Sequence, residues 1–143
     1  MKVAIRADGG ENIGMGHIER CLALSRQLKK KNAEVIFVFQ KNKKIKERIE
    51  KEGFWGTELK EKIDLKGDLR GTSKIIKEEN IDIGIIAVPD EKAQDICNIL
   101  CSNGIKGIMN FAPVILKVPE KIVVNNINLC NELESITYFI NLI

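Results

Sequence analysis

Residues 2–40 read KVAIRADGGENIGMGHIERCLALSRQLKKKNAEVIFVFQ, and the way this stretch divides decides the fold. Residues 2–8, KVAIRAD, form a short β-rich apolar run that stops at Asp8-Gly9-Gly10. Ile18, Cys21, Leu22, Leu24, Ser25 and Leu28 then recur at helical spacing, which predicts an amphipathic helix over 16–31. AEVIFVFQ, 33–40, is almost continuously apolar, as a strand covered on both faces must be. Strand, glycine-rich turn, helix and buried strand make one βαβ unit of a parallel sheet.

The pattern continues outward. A charged helix over 42–52 is closed by Gly53. FWGTELKEKIDLKGDLRG, 54–71, mixes breakers with weak periodicity and holds at most one short strand; a seam in the chain would fall at about 55–72. A helix around 72–80 leads into IDIGIIAVP, 81–89, a second doubly covered strand stopped by Pro89. A helix over 91–103 ends at Asn103-Gly104. IKGIMNFAP, 105–113, is a strand stopped by Pro113, and KIVVNNI, 121–127, is a further one. Leu129, Leu133, Ile136 and Ile140 place an apolar stripe on a terminal helix. Strands alternating with helices and no hairpin signal predict an α/β fold: a doubly wound, mostly parallel, Rossmann-like sheet of five or six strands in a single domain.

The bulk properties agree. The 143 residues are 44% apolar and 30% charged, which suits one soluble domain. No apolar run is long enough to span a membrane, and MKVAIRADGG has no signal-peptide core, so a cytoplasmic location is expected. A net charge of +3 is too small to argue for nucleic acid. Cys21, Cys97, Cys101 and Cys130 are scattered; Cys97 and Cys101 share a helix face, the only histidine is distant, and reduced thiols without a metal are expected.

Ligands of such sheets sit at the carboxyl ends of the strands, near the switch point. Three loops therefore matter: 8–17, 88–93 and 110–114. In the first, Gly10, Gly14 and Gly16 precede a helix N-terminus, a natural seat for a phosphate. As a dinucleotide fingerprint it is incomplete. Glu19 stands where the third glycine belongs, and the second strand ends Phe39-Gln40-Lys41 without a ribose-binding acid. His17, the only histidine, directly follows Gly14-Met15-Gly16. A neutral imidazole there can take a proton from water near pH 7; equally, it can be a polar residue at a helix start making a local hydrogen bond.

Two resemblances follow. IRADGGENIGMGHIERCLALSRQLKKKNAEVIFVF resembles the opening of the PseG-type UDP-sugar hydrolases at Arg6, Asp8, Gly14-Met15-Gly16-His17, Arg20-Cys21 and Leu24, and the likeness runs to about Leu59. It implies that His17 acts on the water that releases UDP, with Asp8 and the loop amides beside it. The domain that grips UDP in that family has no counterpart in the chain. Residues 74–140 resemble the C-terminal part of the Rex family of redox-sensing transcriptional repressors, through IIAVP, Lys92-Ala93-Gln94, Gly104-Ile105-Lys106-Gly107, NFAP, VPE and ELESITYF. This implies that Val88, Pro89, Asn110, Phe111, Ala112 and Pro113 lie beside the nicotinamide end of NAD(H), and that the last helix is exchanged in a homodimer. The prolines can instead be plain strand terminators, and the last helix can pack on its own sheet. No DNA-binding segment precedes the first strand, so direct operator binding is not expected. Together the resemblances imply a hybrid whose first expected function is binding a small-molecule nucleotide. UDP-sugar hydrolysis is the alternative, and a folded hybrid with no native activity is a third outcome.

Overall fold

In the computed structural model the described residues are 1–10, 14–59, 65–127 and 140, the side chains of 65–69 excepted. The elements run β1 (Lys2–Ala7), α1 (Gly16–Lys30), β2 (Glu34–Gln40), α2 (Lys43–Lys51), β3 (Trp55–Leu59), α3 (Leu65–Glu79), β4 (Ile83–Ala87), α4 (Asp90–Ser102), β5 (Gly107–Asn110) and β6 (Val123–Asn126). The strands form one six-stranded sheet in the order β3-β2-β1-β4-β5-β6. Every pairing is parallel, with Ile5 opposite both Phe37 and Ile85 in the centre.

Side-chain alternation along the strands divides the core in two. Val3, Ile5, Phe37, Phe39 and Ile85 face one side, where Ile18, Cys21 and Leu22 of α1 and Ile45 and Ile49 of α2 cover them. Ala4, Ile36 and Ile86 face the other, under Ile76 of α3 and Ala93, Ile96, Cys97 and Leu100 of α4. The central strands are thus apolar on both faces because helices lie on both.

Three elements differ from the sequence expectation. The stretch 55–72 does contribute a strand, β3, which makes the count six. As an edge strand it buries fully only Leu59, so its residues carry little alternation. Helix α3 begins at Leu65 rather than near 72. One glycine that reads as a breaker, Gly71, is a contact residue: a Cβ there would lie 2.7 Å from Leu59 Cδ2, so glycine lets the helix approach β3. Strand β5 ends at Asn110, and Phe111-Ala112-Pro113 leave the sheet. Apart from Ile140, which is helical and exposed, the terminal helix and the dimer contact expected of it lie outside the described residues.

Candidate nucleotide-binding site

Because all six strands are parallel, the ends of β1, β2, β4 and β5 open on one edge. The chain order reverses between β1 and β4, the switch point at which open α/β sheets bind ligands. The loop leaving β1 is held by glycines. Gly10 donates its N–H to Gly14 O at 3.2 Å, and Gly14 donates back to Gly10 O at 2.7 Å. These reciprocal bonds need φ of +139° at Gly10 and +75° at Gly14, values that disfavour side chains.

Helix α1 then starts at Gly16 with Met15 as its cap residue, whose side chain makes no cap hydrogen bond. Cβ atoms added at Gly14 or Gly16 would meet nothing within 4 Å among the described residues. A helix start without a side-chain cap from its cap residue is suited to seat a phosphate. Close helix–strand packing, the usual task of a third glycine, falls to Gly9: a Cβ there would lie 2.9 Å from Ile18 Cγ1, 3.2 Å from Gly14 O and 3.3 Å from Ile45 Cδ1. Glu19, at the position of that third glycine, is exposed and accepts from Arg48 Nε and Nη2 at 2.7 and 2.8 Å. No glycine is needed there.

Under the loop lies a buried ion pair. Arg6 Nη1 donates to Asp8 Oδ1 at 2.5 Å and Nη2 to Oδ2 at 3.4 Å. The two side chains are only 2% and 3% exposed, and Lys92 Nζ stands 3.8 Å from Asp8 Oδ2. Asp8 N–H also donates to Ala87 O at 3.2 Å, tying the loop to the end of β4. The Asp8 carboxylate is thus engaged by cations in the floor of the site. His17 sits in the first turn of α1, half-buried, and its Nδ1 is shielded from solvent with no hydrogen-bond partner among the described residues. A buried polar atom without a partner calls for a missing one.

The far rim comes from β4 and β5. Val88 is fully buried, and Pro89 introduces α4. Asn110 is also fully buried, and its amide is spent on the loop. Nδ2 donates to Val114 O at 2.7 Å, Asn126 Oδ1 at 3.0 Å and Ala112 O at 3.2 Å, while Oδ1 accepts from Ala112 N–H at 2.9 Å. Asn110 therefore shapes the 110–114 turn, and Ala112 is buried within it. Phe111 is half-buried with the Arg20 guanidinium 5.7 Å from its ring centroid, a cation–π contact that links this rim to α1. Pro113 is exposed. The structure thus brings Gly10, Gly14, Gly16, His17, Pro89 and Phe111 to one sheet edge, with Asp8, Val88, Asn110 and Ala112 beneath as support.

One feature of this edge escaped the sequence reading. An open cleft of about 590 Å³ at the end of β2 is lined by Gly10, Met15, Lys41, Asn42, Lys43 and Lys44. Asn42 caps α2, its Oδ1 accepting from Lys44 and Ile45 N–H at 3.0 and 3.3 Å. The signal was an asparagine cap flanked by lysines at the end of a buried strand. Among the described cysteines, Cys21 and Cys97 are buried in the core. Burial pushes the Cys21 thiol up to about 12. Burial, with Cys101 beside it, does the same for Cys97. No group of residues among those described could hold a metal ion, and no described helix is long and apolar enough to cross a membrane.

Comparison with known proteins accords with this geometry. Residues 13–114 match the family model of the CoA binding domain, and the match runs through 55–72. The redox-sensing transcriptional repressor Rex of Clostridium botulinum is 40% identical over 129 residues, which are 90% of this chain and 56% of the repressor. The same repressor of Clostridium tetani is 35% identical over the same shares. The chain thus spans little more than half the length of these relatives. The crystal structure of RSP, a Rex-family repressor, in complex with β-NADH superposes with a TM-score of 0.67 at 24% identity, covering 98% of this chain and 59% of that one. A family match over most of the chain is decisive: the chain belongs to the CoA-binding-domain family.

Proposed function

We propose that this domain binds a nicotinamide adenine dinucleotide across the β1/β4 switch point and serves as the redox-reading part of a Rex-type repressor. The pyrophosphate rests on the first-turn amides of α1 between Gly14 and Gly16. The nicotinamide lies toward Pro89 and Phe111, over the floor formed by Asp8 and Val88. NAD(H) supplies the redox chemistry; the residues of this chain bind and orient it. The carrying observation is the glycine-flanked start of α1 at the switch point, to which its cap residue offers no side-chain bond. The likeness to Rex repressors supports it, and a homodimer built through the terminal helix belongs to the same reading. No DNA contact is assigned to this domain itself.

Thermal unfolding with NADH or NAD⁺ tests the reading. Ligand at a hundred times its dissociation constant should add about 2.7 kcal/mol of stability, which for a domain of this size raises Tm by roughly 5–10 °C. No shift at millimolar NADH and NAD⁺ would overturn it.

A second reading has one observation in its favour, the partnerless Nδ1 of His17 at the glycine turn. If that imidazole activates water on a UDP-sugar, UDP-N-acetylglucosamine is hydrolysed slowly and His17→Ala abolishes UDP release. Release that survives His17→Ala removes the histidine from any such role.

A further inference from the structure

The rim that bears Phe111 begins a crossover of an uncommon kind. Parallel neighbours such as β5 and β6 need a crossover, and a helix usually provides it. Residues 111–122 are described throughout and contain no helix. Their backbone polar groups therefore need partners from outside a helical ladder. Side-chain amides of the flanking elements supply several of them. Gln94 of α4 takes both backbone groups of Lys117: its Oε1 accepts from the N–H and its Nε2 donates to the carbonyl, each at 3.0 Å. Asn110 ends β5, and Asn126, its register partner, ends β6.

The two asparagines do different things. The bonds from Asn110 to Ala112 and Val114 stay within the turn. Asn126 ties that turn to the neighbouring strand. Its Oδ1 accepts from Asn110 Nδ2 at 3.0 Å and from Leu116 N–H at 3.3 Å, so one oxygen on β6 holds the loop at two points. Phe111 lies between those points, and its own N–H donates to Ile86 O of β4 at 2.9 Å. The ring that closes the far rim is thus fixed from β4 on one side and from β6 on the other. Asn126 itself is exposed, so its place in the loop, not burial in the core, gives it importance. We propose that Asn126 is a positioning residue for the nicotinamide end of the ligand, acting through Asn110 to set the 110–114 turn and with it the face of Phe111. The inference rests on the dinucleotide reading for what lies against Phe111. It goes beyond that reading in giving a role to a residue on β6, behind the rim. What Asn126 contributes is an acceptor, which a carboxylate also offers.

The test is calorimetric titration of the whole chain with NADH and with ADP-ribose, which lacks the nicotinamide. In Asn126→Ala, NADH is expected to bind about three- to tenfold more weakly, as the loss of one or two hydrogen bonds implies. ADP-ribose should bind that variant as it binds the unaltered chain. Asn126→Asp keeps an acceptor toward Asn110 Nδ2 and Leu116 N–H and should restore the affinity for NADH. If the alanine variant does not fold, Asn126→Ser takes its place, since a serine hydroxyl stops short of both donors. A merely structural role would weaken NADH and ADP-ribose together. Equal losses for the two ligands, no loss for either, or an aspartate variant as weak as the alanine one overturns the inference and leaves the dinucleotide reading standing. An unaltered chain that binds neither ligand overturns both.

Discussion

Asp8→Ala is expected to lower the stability of the domain by about 3–5 kcal/mol, the usual cost of removing one partner of a buried ion pair. The buried cation of the pair is Arg6. It lies on β1 with 2% of its side chain exposed, and Asp8 takes both of its terminal nitrogens, the closer at 2.5 Å. Without the carboxylate the guanidinium keeps its desolvation cost and loses this compensation. Lys92, 3.8 Å from the same carboxylate, becomes a second cation facing it. In a melt monitored by circular dichroism the loss should appear as a fall in Tm of roughly 10–15 °C. Arg6→Met combined with Asp8→Leu should recover most of it, because an apolar pair of similar volume removes both charges together. A fall of less than about 1 kcal/mol in the single variant would mean that the pair behaves as a solvated surface bridge.

Much of the fold was legible because burial leaves a period in the sequence. The central strands β1, β2 and β4 read as apolar runs, and α1, α2 and α4 show their stripes, since each presses one face on the sheet. Legibility failed where burial is partial or a glycine works by contact. Strand β3 buries fully only Leu59, and Gly71 looks like a breaker until Leu59 is placed 2.7 Å from its absent Cβ.

The site divides in the same way. The glycines of the first loop were visible, and so was the missing third glycine. What could not be read was that Gly9 takes over its packing, while Glu19 turns outward to Arg48. That substitution of roles makes the front loop depart from the dinucleotide fingerprint. Asn110 was visible only through the resemblance carried by NFAP, inside a strand expected to run to Pro113. Its bonds to Ala112, Val114 and Asn126 join residues up to sixteen apart and appear only once the chain is folded. The end of β2 leads into what reads only as a charged helix over 42–52, because no sequence pattern shows a cleft beside it.

Gly16→Val is expected to reduce NADH affinity about a hundredfold, or roughly 2.7 kcal/mol, with little change in stability. The asymmetry follows from the two glycines that flank the cradle. At Gly16 an added Cβ meets nothing within 4 Å, so the folded chain accepts a side chain, and an exposed substitution of this kind shifts stability by only about 0.5 kcal/mol. A branched side chain there fills the space above the first-turn amides of α1, which a pyrophosphate must approach closely. Gly9 behaves oppositely. A Cβ at Gly9 is wedged between Ile18, Gly14 O and Ile45, and one of these is backbone of the loop itself, so Gly9→Ala should cost about 1–3 kcal/mol in stability and weaken binding with it. Paired melts and NADH titrations of the two variants separate a surface that touches ligand from one that holds the loop. If Gly16→Val melts normally and binds NADH as the unaltered chain does, the pyrophosphate does not rest on α1. If it loses binding while Gly9→Ala loses both, the open amides at the start of α1 are the seat, and the glycine that packs against Ile18 is what keeps them in place.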